Sequence, residues 1–297
     1  MKRLTVGVHY TPAPGEPIAD TVRAAREIEA MGYRSLALPD HLTRPHAAAI
    51  APVPDPLLLL ARLAADTTHL TLATMTLLDA FRAPEQTLRS AATLQHITGG
   101  RLELGVGAGW QNADLNALPT GLRAASARID ALERTLDLLR QAWPLADRPN
   151  QPDAARAWLL AAEAAPPQLI IAAGSTRMLH LAARYADTIA LTVPTRPRLA
   201  GAVPTAQSVA AQIATVRAAR PGHLPPPGFH LQIREITPRA SHSGDDTWWT
   251  VGGSPARIAE ALQRRADAGI TDIALCTEDL QLLEWTAVHV LPQLEQV

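Results

Sequence analysis

The sequence has a single cysteine, Cys276, among its 297 residues, and it has no long run of like charge. One cysteine excludes an internal disulfide and any metal site built from several cysteines. The 27 basic and 28 acidic residues give a formal net charge of -1. This balance argues against nucleic acid or an anionic membrane as the main partner. No apolar stretch reaches the roughly 18 residues that a membrane-spanning helix needs.

Targeting and metal-binding motifs are also missing. The opening residues Met1–Leu4 lead directly into a strand-like segment, without the apolar region and cleavage site of a secretory signal. We therefore expect a cytoplasmic protein. The histidines show no H-x-x-H or H-E-x-x-H spacing and the carboxylates are scattered, so we expect no metal site.

What the sequence does contain is a regular alternation of strand-like and helix-like segments. Strict alternation predicts a parallel sheet with helices outside it, and eight units in a chain of this length predict a closed (β/α)₈ TIM barrel as one domain over residues 1–297. An open doubly wound sheet is the alternative, but no G-x-G-x-x-G follows the first strand. The predicted strands are Leu4–His9, Ser35–Pro39, Leu70–Leu78, Arg101–Val106, Gln168–Ala173, Thr188–Val193, Phe229–Thr237 and Ile270–Cys276.

Helical periodicity and helix-end signals define the segments between these strands. Ser254 is a plausible N-cap, and glycines follow several of the predicted helices as stops. The predicted helices are Ile18–Met31, Pro56–Asp66, Pro84–His96, Arg123–Trp143, Thr176–Tyr185, Thr205–Ala219, Pro255–Ala268 and Leu280–Leu294.

The stretch Thr98–Trp110, T-G-G-R-L-E-L-G-V-G-A-G-W, combines a helix end, a short strand and a glycine-rich exit from that strand. Gly105, Gly107 and Gly109 leave the end of the strand without side chains. Either a backbone segment or something flat and large can therefore approach it closely. Trp110 adds one broad ring beside this surface.

In a barrel, chemistry is found at the carboxyl ends of the strands. Gly174–Arg177, between a strand and a helix, offers backbone N–H groups, two hydroxyls and a guanidinium, which suit a phosphate. The alternative is an ordinary capped turn. Asp40 and His41 end the second strand, where they could bind a ring edge or move a proton, or simply cap a turn at the surface.

Other residues near strand ends allow two interpretations each. The segment Thr74–Thr76 is either a special backbone site or ordinary buried strand. His9 either points into the barrel mouth or packs there. The pair Trp248 and Trp249 belongs to a lid or to the core, and Cys276 is expected to be a buried thiol without activation.

Four stretches resemble the luciferase-like monooxygenase superfamily, and specifically its oxidoreductases that depend on the deazaflavin coenzyme F-420. The resemblance covers most of the chain in the correct order, and the stretch that ends in G-R-L-E-L-G-V-G-A-G-W is its most specific part. The four stretches are Met31–Leu42, Phe81–Trp110, Ile171–Asp187 and Gly253–Asp272.

The resemblance implies a (β/α)₈ barrel that holds a flavin-like ring at its C-terminal mouth. Asp40 and His41 match the ring-contacting pair of the family. Thr74 and Met75 match the place where relatives carry a non-proline cis peptide, which forms a bulge behind the ring. The resemblance also implies a ring pocket and a phosphate-binding turn, formed by Gly107, Gly109 and Trp110 and by Gly174, Ser175, Thr176 and Arg177, respectively.

The sequence departs from the family pattern in two places. Some relatives carry a glutamate proton donor after the glycines, where this chain has Trp110. His41 is then the catalytic candidate, with Asp114 a weaker one. The segment Pro144–Pro167 is shorter and richer in alanine than usual, and Arg239–Gly253 matches the mobile lid of the superfamily.

The resemblance implies an oxidoreductase that moves hydride between reduced coenzyme F-420 and a small-molecule substrate. One alternative is an FMN-dependent monooxygenase that is supplied by a separate flavin reductase. The other is a flavin-binding protein without turnover. Because relatives are often dimers, we also expect a homodimer.

Overall fold

Eight parallel strands close into a barrel in the computed structural model, which describes residues 4–42, 52–118, 121, 123–145, 165–192, 205–238 and 247–294. The sheet has nine strands in the order β3-β2-β1-β11-β8-β7-β6-β5-β4. Two of them, β3 and β4, share one of the eight barrel positions, because both pair with β5 and so close the circle. The predicted TIM barrel is therefore confirmed. The strands are β1 Thr5–His9, β2 Ser35–Leu38, β3 Thr71–Thr74, β4 Leu77–Leu78, β5 Leu102–Gly107, β6 Gln168–Ala173, β7 Thr188–Leu191, β8 Gly228–Ile233, β9 Glu235–Thr237, β10 Thr250–Gly252 and β11 Asp272–Cys276.

Helices cover the outside of the barrel. None of those in the described ranges is long and apolar enough to cross a membrane. A 3₁₀ turn, Asp79–Phe81, follows β4. The helices are α1 Ile18–Ala30, α2 Pro56–Ala64, α3 Pro84–Ile97, α4 Asn112–Asn116, α5 Ala125–Leu145, α6 Thr176–Tyr185, α7 Ala206–Ala219, α8 Pro255–Asp267, α9 Leu280–His289 and α10 Leu291–Leu294.

Helix ends follow the signals in the sequence. Ser254 caps α8 by accepting a hydrogen bond from the Arg257 amide at 3.3 Å, as predicted. Gly269 follows this helix with a φ of 107°, and Gly32 follows α1 with a φ of 83°. These positive angles are those at which glycine ends a helix at the least cost.

The hydrophobic core has two parts. A small cluster of side chains, four of them from alanine or isoleucine, groups around Met75 and comprises Ala37, Ala73, Met75, Ile170 and Ala190. A much larger cluster packs the sheet against the surrounding helices and includes Ile28, Leu60 and Leu132, which are fully buried. Since both faces of the sheet are covered, its strands are short apolar runs rather than alternating ones.

Three predicted elements are interrupted. The predicted strand Leu70–Leu78 is broken into β3 and β4. The predicted strand Phe229–Thr237 is broken at Arg234, after which β9 leaves the barrel and pairs with β10. The predicted last helix is broken at Val290, because Pro292 has no N–H to bond the carbonyl of Val288.

Two further differences concern loops. The predicted loop after Trp110 contains the short helix α4. Residues 146–164 of the Pro144–Pro167 segment and residues 239–246 of the predicted lid lie outside the described residues.

The break between β3 and β4 lies at a cis peptide bond between Met75 and Thr76, one bond after the Thr74–Met75 pair to which the resemblance pointed. We call the segment 74–76 the bulge. Its first residue is fixed to β5, since the Thr74 hydroxyl donates to the Gly105 carbonyl at 2.8 Å and accepts from the Gly105 amide at 2.9 Å.

The glycines of β5 make room for this segment. A Cβ on Gly105 would lie 1.9 Å from the Thr74 carbonyl oxygen, and one on Gly107 would lie 2.7 Å from the Thr76 hydroxyl. Gly109 has a φ of 83°, and a Cβ there would meet the Leu78 side chain at 2.3 Å. At Gly105 the structure therefore shows the close approach of a backbone segment, whereas side chains occupy the space beside Gly107 and Gly109.

Gly105→Ala tests this packing. We expect a loss of about 3 kcal/mol in the free energy of unfolding, because the clash is with backbone that cannot move without shifting the strand. Gly222→Ala is the matched control, since its Cβ would meet nothing within 4 Å and its φ is not positive. The control should stay within roughly 0.5 kcal/mol of the wild type or gain slightly. Urea unfolding of both variants measures the difference, and equal stabilities would contradict this account.

Candidate active site

Asp40 follows β2 and is 6% exposed. Its carboxylate accepts a hydrogen bond from the Leu78 amide at 2.9 Å and is held by both terminal nitrogens of Arg82, one of them at 3.1 Å. Arg82 also pairs with Asp55 at 2.7 Å. Asp40 therefore ties β2 to the segment after the bulge. Its contact with a cofactor ring stays a prediction.

His41 lies beside Asp40 and is paired with a buried carboxylate. Its Nδ1 is 2.7 Å from Oδ2 of Asp114, which is 1% exposed and also accepts from the Leu42 amide at 3.1 Å. This pair fixes the orientation of the imidazole, and an N–H at Nδ1 leaves Nε2 as the proton-accepting nitrogen. The structure thus brings together the two residues that the sequence offered as separate proton-transfer candidates.

Trp110 forms one side of the same site. Its ring is 46% exposed and meets the His41 ring edge-on, with 5.7 Å between centroids. An exposed aromatic ring beside a fixed imidazole is a suitable wall for a flat apolar group. The side chain that replaces the family glutamate is therefore a neighbour of His41.

His9 ends β1 and lies against the bulge. Its Nε2 is 3.3 Å from the Met75 carbonyl oxygen. Burial lowers the pKa of His9 to about 4, and the charges of His230 and His41 act in the same direction, whereas the Met75 carbonyl opposes them. His9 is therefore neutral at physiological pH and donates to the bulge through Nε2.

The turn Gly174–Arg177 leads from β6 into α6. The Ser175 hydroxyl caps this helix by accepting from the Met178 amide at 3.4 Å. A Cβ on Gly174 would lie 2.6 Å from the Thr192 carbonyl oxygen, so only glycine fits there. The first amides of any α-helix have no acceptor inside the helix and can bind an anion. The turn is therefore both a capped helix start and a suitable phosphate site.

Arg177 is engaged elsewhere. Its guanidinium pairs with Asp130 of α5 and donates to the Ser126 carbonyl at 3.4 Å. The backbone of the turn is thus the part that remains suited to an anion, and a contribution from the Arg177 side chain stays a prediction.

The residues at the remaining strand ends are held by burial or by packing against aromatic rings. Burial raises the pKa of Cys276 to about 12, so its thiol stays protonated and is no nucleophile at neutral pH. The guanidinium of Arg234 stacks over the Trp249 ring at 3.8 Å from its centroid. Trp248 and Trp249, which belong to the predicted lid segment Arg239–Gly253, pack partly buried against the core. Within the described ranges, no group of three or more potential ligands is placed to hold a metal ion.

Sequence reasoning missed two partners at this site. Arg82 comes directly after the 3₁₀ turn that follows β4, and only the fold shows that it reaches Asp40. Arg128 of α5 donates to the carbonyls of Ala108 at 3.1 Å and Gly109 at 3.4 Å, and so holds the end of β5. No local pattern in the sequence marks either contact.

Residues 3–227 match the family model described as luciferase-like monooxygenase. A curated relative, 4-hydroxyprotoasukamycin monooxygenase of Streptomyces nodosus subsp. asukaensis, is 29% identical over 146 residues. That match covers 46% of this chain and 38% of the relative, so the chain spans well under half the length of that protein.

Solved structures share the fold over nearly the whole chain. A secondary alcohol dehydrogenase dependent on coenzyme F-420, in complex with a coenzyme F-420–acetone adduct, superimposes with a TM-score of 0.78 at 15% identity and covers 99% of both chains. The coenzyme F-420-dependent tetrahydromethanopterin reductase of Methanopyrus kandleri gives 0.71 at 12% identity, over 98% of this chain and 99% of that one. The oxygenating constituent of 3,6-diketocamphane monooxygenase of Pseudomonas putida, in complex with FMN, gives 0.68 at 15% identity over 98% and 99%.

The neutral state of His9 predicts an acid-sensitive fold. The unfolded chain binds a proton at this residue near pH 6.5 and the folded chain only near pH 4. Its contribution to stability is therefore complete above pH 6.5 and is lost as the pH falls towards 4. At pH 5 the loss is about 2 kcal/mol, at about 1.4 kcal/mol per pH unit.

Urea unfolding at pH 7.5 and pH 5 checks this prediction. Between pH 7.5 and pH 5, the free energy of unfolding of His9→Gln should fall by about 2 kcal/mol less than that of the wild type. His180→Gln, at an exposed position of α6, is the control and should behave as the wild type does. An unchanged acid response in His9→Gln would contradict the assignment.

Proposed function

Because the chain belongs to the luciferase-like monooxygenase family, we propose that it is an oxidoreductase that moves hydride between coenzyme F-420 and a small organic substrate. The observation that carries the proposal is the pairing of His41 with the buried Asp114 at 2.7 Å, with Nε2 of His41 left to exchange a proton. Two structural neighbours named as dependent on coenzyme F-420 agree with this proposal.

The residues present fit a flavin-like cofactor. The cradle for its phosphate is the turn at Gly174, where any Cβ would collide with Thr192, together with the hydroxyls of Ser175 and Thr176. For its ring we propose the space between the bulge and Trp110. A deazaflavin would supply a ring carbon that accepts or donates hydride, and the protein supplies position, exclusion of water and a proton.

His41 carries the proton in this proposal. When a substrate alcohol is oxidised, its carbon loses hydride and its oxygen loses a proton to Nε2 of His41. In the reverse direction Nε2 returns the proton to the carbonyl oxygen. Asp114 keeps the imidazole in the orientation that presents Nε2 and stabilises the protonated ring by its negative charge. Trp110 shields the reacting groups from water.

Replacing His41 and Asp114 tests this assignment. We expect His41→Ala to lower kcat by roughly 10²- to 10⁴-fold, the usual contribution of general acid–base catalysis. Asp114→Asn should lie between that variant and the wild type, since it keeps the shape but not the charge. Both should retain binding at the phosphate side of the cofactor, because the turn at Gly174 is unchanged. Steady-state rates with reduced coenzyme F-420 and a panel of small ketones measure the effect.

Asp267→Asn is the matched control, because this carboxylate lies on the outside of α8 and accepts a hydrogen bond from Gln263 only 4 residues away. Its turnover should be unchanged. Full turnover of His41→Ala would remove His41 from the mechanism.

An FMN-dependent monooxygenase is the second candidate, and the neighbour solved with FMN and the curated monooxygenase relative favour it. It requires a flavin reductase as partner and consumes oxygen.

Titration with coenzyme F-420 and with FMN, and then measurement of oxygen uptake during turnover, distinguishes the two enzymes. Tight binding without turnover on any substrate would indicate a flavin-binding protein instead. We also propose that the protein is a homodimer in the cytoplasm.

A further inference from the structure

A cavity lies between the 3₁₀ turn Asp79–Phe81, helix α4 and helix α5. Its volume is about 230 Å³. None of the residues to which we assign the cofactor or the proton transfer lines it. Four arginines do: Arg82, Arg123, Arg128 and Arg134.

The positive charge of this cavity is only partly balanced. Arg82 is neutralised by Asp40 and Asp55, which lie outside the lining. The donors of Arg128 bond the backbone carbonyls of residues 108, 109 and 123, and burial lowers its pKa because no carboxylate compensates. Arg123 and Arg134 have no ion pair with any carboxylate in the described ranges. Three of the four arginines that line the cavity therefore have no salt bridge within the described part of the chain.

One carboxylate, that of Asp79, lines the same cavity. Its Oδ1 accepts a hydrogen bond from the Thr135 hydroxyl at 2.6 Å. Burial raises the pKa of Asp79, whereas the Thr135 hydrogen bond and the charge of Arg134 lower it. A single carboxylate against three unpaired guanidinium groups leaves the cavity positive.

Apolar side chains also line the cavity. Leu115 and Leu118 of the α4 region, Ala131 of α5 and Pro84 of α3 line it. A hydrated inorganic ion would gain nothing from these side chains, whereas an aliphatic or aromatic body would bury apolar surface against them.

We propose that this cavity, lined by the basic residues Arg123, Arg128 and Arg134 and by the apolar residues Leu115, Leu118 and Ala131, binds a small organic anion through its charged head and its apolar body. The site does not depend on the identity of the cofactor. It adjoins the active site through α4, which places Leu115 in the cavity and Asp114 against His41.

Calorimetric titration of the full chain with hexanoate tests the proposal. Titration with 1-hexanol measures the contribution of the apolar body alone, and titration with inorganic phosphate measures that of the negative charge alone. Hexanoate should bind at least roughly tenfold more tightly than either. Arg123→Ala/Arg134→Ala should weaken hexanoate binding by roughly tenfold or more, because both residues are exposed and their loss leaves the fold intact. Ala80→Trp should block the cavity. Arg23→Ala, on the exposed face of α1, should change nothing.

Several outcomes would overturn the proposal. Equal binding of hexanol or of phosphate would mean that the site does not recognise an organic anion. Unchanged binding in both cavity variants, with loss in Trp110→Ala, would place hexanoate in the barrel mouth. Displacement of hexanoate by a saturating cofactor would place it on the phosphate turn. Each of these results leaves the test of His41 and Asp114 unaffected, so this inference and the proposed function can fail separately.

Discussion

The rest of the structure depends on one close approach between backbones. The carbonyl of Thr74 occupies the space where a side chain on Gly105 would begin, and the Thr74 hydroxyl makes two hydrogen bonds to the same glycine. This contact allows the bulge to form between β3 and β4. The neutral His9 of β1 holds the bulge through the Met75 carbonyl, and the buried Asp40 after β2 holds the segment that follows the bulge through the Leu78 amide. Most of the polar groups at the mouth are therefore used to fix the backbone.

His41 differs from its neighbours in this respect. Asp40 and Arg82 satisfy each other, and His9 is kept neutral by burial. His41 has a carboxylate behind its Nδ1, an aromatic ring at its side and a nitrogen left for exchange. An imidazole oriented in this way can take up or give back a proton without disturbing the bulge. Because the neighbouring polar groups hold the backbone and His41 has a nitrogen left for exchange, the site favours acid–base assistance to hydride transfer by His41.

Much of the fold could be predicted from the sequence, because local signals and the fold agree. The strand Gln168–Ala173 and the helix Thr176–Tyr185 have the bounds that their patterns predict. The break after Thr74 could not be predicted from the residues alone, since Leu70–Leu78 is a continuous strand-like run, and only the family resemblance pointed near it. The partner of His41 lies 73 residues away in the sequence, and such a contact exists only in the folded barrel. The residues that line the cavity between the 3₁₀ turn, α4 and α5 also come from separate segments of the chain.

The central claim is that the phosphate of the cofactor binds the turn at the start of α6. Ser175→Asp tests it directly, because aspartate keeps the helix cap and adds a negative charge where the phosphate should lie. Fluorescence anisotropy with coenzyme F-420 and with FMN should show an affinity loss of at least roughly tenfold for whichever cofactor binds the wild type. Ser254→Asp, the same change at the cap of α8, should bind as the wild type does. Equal affinity of the two variants would contradict the account.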